Sequence, residues 1–204
     1  MSVATTCAVM GGLLLSTQAS YAVPVRVQNP GFETDVLTDG NQTIKQITNW
    51  ITVENGGNGG VFNPGNNNFP GASNTNSSFT SAFGQNVAYS NGRTIEQTLT
   101  ATFDPAKRYR LSVDVGKRLD EPFPTRGASI QLLAGNTVIA QSVTPVPASG
   151  TFLTVVALYR PGIKNLRGQY NQFAGQPLKI RLLSTDGNVF TGQVDWDNVK
   201  LQKF

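Results

Sequence analysis

Between residues 94 and 184 apolar and polar positions alternate along the chain with a period of two. In "TIEQTLTATF" (94–103), Ile95, Gln97, Leu99, Ala101 and Phe103 fall on one side and Glu96, Thr98, Thr100 and Thr102 on the other. In "YRLSVDVG" (109–116), Tyr109, Leu111, Val113 and Val115 oppose Arg110, Ser112 and Asp114. Successive side chains of a strand point to opposite faces, so this alternation predicts half-buried β-strands. Four more runs predict strands: "SIQLLAG" (129–135), "TVIAQSV" (137–143), "TFLTVVALY" (151–159) and "PLKIRLLS" (177–184). Turn chemistry separates them, as "AGN" at 134–136, "PASG" at 147–150 and "TDGN" at 185–188. Evenly spaced strands with polar turns predict an all-β fold, an antiparallel sandwich or jelly roll. No helix is predicted beyond the N-terminal segment. Residues 54–78 are almost entirely Gly, Asn, Ser and Pro, and read as a long surface loop, either functional or a passive insertion.

The first 22 residues, "MSVATTCAVMGGLLLSTQASYA", are small and apolar and end on Ser20-Tyr21-Ala22. That ending suits a signal-peptide cleavage site, and the apolar stretch is too short to span a membrane. No Lys or Arg precedes it, which departs from the usual pattern. The reading is a signal peptide at 1–22, one jelly-roll domain at 23–204, and a secreted or cell-surface location. Cys7 is the one cysteine. A chain starting at Val23 therefore has neither disulfide nor thiol chemistry.

Charge narrows the functions further. Sixteen basic residues against twelve acidic ones give a net charge of +4. The densest basic run is "KRYR" at 107–110, followed by Lys117-Arg118, and it is read as part of a solvated mixed surface. A nucleic-acid binder would show a clustered basic stripe with exposed aromatics. "NQT" at 41–43 and "NSS" at 76–78 match glycosylation acceptors, which Asn-rich chains produce by chance.

There is no histidine. This removes Ser–His and Cys–His catalysis and His-ligated zinc. Phosphate-cradling loops and nucleophile elbows are absent too. A carboxylate pair remains as catalytic chemistry, either Asp195 with Asp197 or Asp120 with Glu121. Acids that cap turns are far commoner, so the expectation is a protein without catalysis.

"QVDWDNVKL" (193–201) poses the sharpest question. Strand geometry puts Asp195 and Asp197 on one side, and continues that side through Val199 and Leu201, which read as core. Two carboxylates aimed along a line into a core imply a catalytic pair, a bound cation, or a strand-end accident.

The opening "VRVQNPGFETDVL", the closing "VDWDNVKLQKF" and the middle "FGQNVAYSNGRTIEQTLTATFDPAKRYRLSVDVGKR" (83–118) resemble the galactose-binding-like jelly roll of carbohydrate-binding modules. The chain is similar, further, to small exported bacterial proteins of the PEP-CTERM type, through "NPGFE", "W…GGVFNP" and "GQPL.IRL…DNV.L". It lacks their sorting tail. The resemblance implies a structural calcium where the first and last strands meet, held by Glu33 and Asp197, with Asp195 and the Asn29 carbonyl as further candidates. It also implies a glycan or polysaccharide partner on an outward sheet face. Asp114, Arg118 and Gln131 would be the hydrogen-bonding groups there, and Trp50, Tyr89 and Phe62 the stacking rings. The functional expectation is an exported, non-catalytic carbohydrate-binding module. A self-associating structural or adhesive protein, and a carboxylate-pair glycosidase, are the alternatives.

Overall fold

A computed structural model describes residues 21–53, 57–65, 67–70, 84–162, 170–185 and 191–204. The proposed leader lies almost wholly outside these residues, as does most of the second half of the 54–78 segment.

Alternation and turn chemistry give the expected result, an antiparallel jelly-roll sandwich. Eleven strands are present among the described residues: β1 Val23–Val25, β2 Ile51–Val53, β3 Asn58–Phe62, β4 Val87–Asn91, β5 Thr94–Thr102, β6 Tyr109–Lys117, β7 Ala128–Ala134, β8 Thr137–Val143, β9 Thr151–Tyr159, β10 Pro177–Ser184 and β11 Val194–Lys203. One sheet runs β3-β4-β11-β6-β9, with β1 added to β11, and the other runs β2-β5-β10-β7-β8. One short 3-10 turn, Asn171–Phe173, is the sole helical element among the described residues.

The six runs read as strands from alternation all pair as strands, and their inward residues form the core. Ile95, Leu99 and Phe103 from the β5 region meet Leu111, Val113 and Val115 of β6 and Ile180 and Leu182 of β10. The expectation of structureless loop across 54–78 needs correcting. "NGGVF" is β3, paired along its whole length with β4. Gly59 and Gly60 read as loop residues in sequence, but their role is close packing. A Cβ on Gly60 would come within 2.2 Å of the Thr43 carbonyl oxygen, and one on Gly59 within 2.9 Å of the Tyr89 carbonyl oxygen.

β11 answers the question of the inward acids. Asn198 adopts φ +52°, and the pairing of β11 with β6 shifts register between Asp197 and Lys200. This bulge inserts one residue and flips the alternation. Val194 and Trp196 therefore share the core with Val199 and Leu201. Asp195 and Asp197 lie on the opposite, outer face of the six-stranded sheet, so the expected single side for the acids and Val199 is overturned. Asn tolerates positive φ better than other residues with a Cβ, and its Nδ2 donates to Asp114 Oδ2 at 2.7 Å.

Asn198→Gly is expected to cost about 1 kcal/mol, the worth of the lost Asp114 hydrogen bond. Asn198→Val should cost a further 1–2 kcal/mol or so from backbone strain. Urea unfolding of the two variants checks this, and equal midpoints would refute the bulge as the register device.

Candidate active site

The outer face of the six-stranded sheet holds a second apolar cluster, separate from the core. Phe62 of β3 and Val87 and Tyr89 of β4 pack together, with Phe152 of β9 against them. Phe152 stands opposite Gly116 on the β6–β9 ladder. A Cβ on Gly116 would lie 2.3 Å from its ring, so the glycine leaves room for the aromatic to lie across β6. Phe69 closes over Phe152, ring centroids 4.5 Å apart.

Asp195 sits within this face, between Tyr89 on β4 and Gly116 on β6. It is completely buried. Its Oδ1 accepts one hydrogen bond, from Gln193 Nε2 at 2.7 Å. Its Oδ2 has no hydrogen-bond partner. A buried carboxylate so sparsely supported is costly. Burial pushes its pKa from 3.8 to about 7, outweighing the Gln193 hydrogen bond and the Arg118 charge that favour ionisation. Asp120 and Glu121 add to the upward push. Asp195 is thus an acid poised to give or take a proton near neutrality.

Arg118 approaches without pairing to Asp195. Its Nε and Nη2 donate to Asp120 at 2.9 and 2.5 Å, and its Nη1 donates to Gln193 Oε1 at 3.4 Å. The guanidinium carbon lies 4.5 Å from the Phe62 ring centroid. Asn68 Nδ2 also donates to Asp120 Oδ2 at 2.9 Å. Burial works against it, but these bonds from Arg118 and Asn68 hold the Asp120 carboxyl below the ordinary range. Beside this cluster opens a cleft of about 430 Å³, lined by Asp39, Phe62, Asn67, Asn68, Arg118 and Asp120 among others. The Tyr89 hydroxyl donates to the Thr43 carbonyl at 2.9 Å. Burial, then the Asp195 charge, raises its pKa, against a smaller opposing effect of Arg93.

The residues expected to hold a glycan are not brought together. Tyr89 and Arg118 belong to the cluster just described. Asp114 lies on the same face, its carboxylate taken by Thr154 Oγ1 at 2.5 Å and by Asn198. Gln131 lies on the other sheet, bonded to Gln141 and Arg181, next to the pairing of Arg181 and Lys179 with Glu96. Trp50 is not a surface ring. It is enclosed in the core against Phe32, and its indole N–H donates to the Gln28 and Asn29 carbonyls. Phe62 is buried too, under Arg118.

The implied calcium ligands are likewise dispersed. The Asn29 carbonyl already accepts the Trp50 indole N–H and the Phe32 amide. Asp195 is held by Gln193, and Asp197 faces Asp114 across the ladder while its Oδ1 accepts the Asn198 amide at 2.6 Å. Glu33 Oε1 accepts the Gln85 and Asn86 amides at 2.9 and 2.7 Å. Burial raises the Glu33 pKa against those two bonds. Among the described residues no three acidic, His or Cys side chains gather where one ion could join them.

Sequence reasoning missed Gln193, Gly116, Phe69 and Phe152. Only Gln193 carried a signal: it precedes Asp195 by two positions and so shares its side of the strand.

A jelly-roll sandwich with a buried, sparsely bonded carboxyl beside an aromatic wall is a scaffold equipped for acid–base chemistry on an apolar molecule. The chain belongs to the HpiC1-like family, described as HpiC1 cyclase, which matches residues 23–202. Among solved structures it is similar to the Stig cyclase Fisc from Fischerella sp. TAU in complex with (3Z)-3-(1-methyl-2-pyrrolidinylidene)-3H-indole. The identity is 30%, the TM-score 0.72, and 90% of this chain and 98% of that chain are covered. A cyclase from Fischerella sp. TAU in complex with 4-(1H-indol-3-yl)butan-2-one is 29% identical, with a TM-score of 0.70 and coverage of 89% and 98%. A putative sugar-binding protein from Bacteroides thetaiotaomicron VPI-5482, 12% identical with a TM-score of 0.53 over 87% of this chain and 99% of that one, shares the fold alone. No curated protein matches.

These findings overturn the expectation of a non-catalytic glycan-binding module. The family is described as a cyclase, the similar solved structures are cyclases, and the ligands named with them are small indole compounds rather than polysaccharides. The likeness to PEP-CTERM-type proteins finds no support in these matches; the jelly-roll part of that resemblance stands. The sequence argument failed because, with no histidine, it allowed catalysis only to a carboxylate pair and judged turn-capping acids far commoner. A single carboxyl whose pKa is raised by burial needs neither.

Asp195 has a folded-state pKa above its unfolded value. Its contribution to stability is therefore full below about pH 4 and is lost as pH rises to about 7. The shift corresponds to at most about 4 kcal/mol. Asp195→Asn should remove this loss, so the stability gap between variant and wild type should open between about pH 4 and pH 7 in urea titrations. Parallel curves would show that Asp195 ionises normally.

Proposed function

We propose that this protein is an acid–base cyclase that closes a ring within a small, largely apolar substrate carrying an aromatic heterocycle such as indole. The observation that carries the reading is the completely buried Asp195 carboxyl, with Oδ2 unbonded, beside Phe62, Tyr89 and Phe152. Family membership supplies the reaction class, and the indole ligands of the Fischerella cyclases supply the first substrates to test.

In its simplest form, protonated Asp195 gives its Oδ2 proton to a substrate double bond. The carbocation so formed is captured by a second π-system of the same molecule, forming the new carbon–carbon bond. A proton then leaves the product cation to the Asp195 carboxylate, so the reaction is a net isomerisation with the acid regenerated. Aromatic faces stabilise nearby positive charge, and the closed apolar wall keeps water from capturing the cation. Arg118 is turned toward Asp120, which limits its own repulsion of that charge.

Asp195→Asn should lower turnover of an indole-bearing diene by at least about a hundredfold. Phe152→Leu, which keeps an apolar side chain but removes the ring, should lower turnover less and raise the share of water-captured product. Chromatography of products from both variants tests this, and full activity in Asp195→Asn would refute the assignment.

A structural calcium remains a separate proposal, centred on Glu33. Its support is a half-buried carboxylate with no cationic side chain paired to it among the described residues. A metal that binds only the folded state adds about 4 kcal/mol at a thousandfold excess over its Kd. The melting temperature should rise when calcium follows EDTA, and the rise should vanish in Glu33→Gln. An unchanged melting temperature would dismiss the metal.

A further inference from the structure

The densest basic run, 107–110, has no part in the site around Asp195. The fold gathers it with two other segments. Arg110 stands on β6 between Leu158 of β9 and Gln202 of β11. Arg160 follows directly on β9. Phe204 returns beside Arg108, with reciprocal backbone hydrogen bonds of 3.3 and 3.0 Å. The Arg108 guanidinium carbon lies 5.4 Å from the Phe204 ring centroid. Arg108, Arg110 and Arg160, with Leu158, Tyr159 and Phe204, line a cleft of about 120 Å³.

None of the three guanidinium groups donates to a carboxylate among the described residues. Two other arginines are paired with carboxylates, Arg118 with Asp120 and Arg181 with Glu96. The nearest acid in sequence, Asp104, uses Oδ1 to accept the Ala106 amide within its own turn. A guanidinium packed on an aromatic ring keeps its in-plane N–H groups free, in the fork that matches an oxyanion.

We propose that Arg108, Arg110 and Arg160 form a binding site for a tetrahedral oxyanion, inorganic phosphate or the phosphate of a small monoester. It lies at the opposite end of the outer sheet face from Asp195. Gly116, the neighbour of Asp195, lies six residues along β6 from Arg110, a span of about 20 Å. The ligand is therefore separate from the substrate undergoing cyclisation. Leu158 and Phe204 at the rim would accept an apolar stem on the phosphate.

The test follows the arginine Nε–H resonances of the full chain as inorganic phosphate replaces chloride at constant ionic strength. Saturable shifts at Arg108, Arg110 and Arg160 with a millimolar Kd are expected, and none at Arg118. Arg110→Gln and Arg160→Gln should each weaken binding about tenfold, while Arg26→Gln on the exposed N-terminal stretch changes nothing. Shifts that never saturate, or that weaken equally in Arg26→Gln, would reduce the cleft to diffuse counterion attraction and overturn the proposal. Binding to phosphatidic acid vesicles without any response to free phosphate would also overturn it, in favour of a membrane-facing basic surface.

Discussion

The interaction on which this molecule turns is the burial of one carboxyl group with a single donor beside it. Asp195 keeps one hydrogen bond, from Gln193, and no direct ion pair. Arg118 could neutralise it, and that would return its pKa toward the ordinary range. Asp120 and Asn68 prevent this by drawing the guanidinium aside. The cluster is thus arranged so that Arg118 is near enough to be felt and too well satisfied elsewhere to pair. Keeping such a group inside costs at most about 4 kcal/mol at neutral pH, a large fraction of a small domain's whole stability. The aromatic packing of Phe62, Tyr89, Phe152 and Phe69 around it is part of what holds it there.

The sandwich serves this group through β11. A strand can present one face to the core and the other to a site only if its alternation survives along its length. Trp196 anchors the first half of β11 in the core, and Val199 and Leu201 anchor the second. The spacing from 196 to 199 is odd, so the two halves are compatible only through the Asn198 bulge. Without it, either the hydrophobic half of β11 or its acids would face the wrong way.

This explains what was legible in the sequence. Period-two alternation from 94 to 184 revealed six strands and their core faces, because burial on one side leaves that mark. It failed for β3, whose Gly59 and Gly60 are dictated by close backbone contact and carry no periodicity. At β11 it was misread by one residue, since a positive φ at Asn198 has no signature beyond Asn itself. The site was less legible still. Asp195 and Asp197 stood out as acids. Their division of labour depends on Tyr89, Gly116, Gln193 and Phe152, which converge from four segments distant in sequence. Trp50 looked like a ligand platform by residue type, yet Phe32 and two backbone carbonyls enclose it.

The same outer sheet face that carries the site here is where an open, polar surface for sugar recognition was expected. A sugar-binding face needs hydroxyl-matching groups exposed to water with an aromatic platform beside them. Here the face is capped at one end: Phe69 lies on Phe152, Arg118 on Phe62, and Asp195 has no exposed surface. Enclosure changes what a polar side chain can do, because a carboxyl kept from water has its pKa raised toward neutrality, where it can hold a proton or pass it on. On the proposed reading, the parts that matter are aromatic side chains packed over one aspartate, and Gly116, which leaves room for Phe152 to lie across β6.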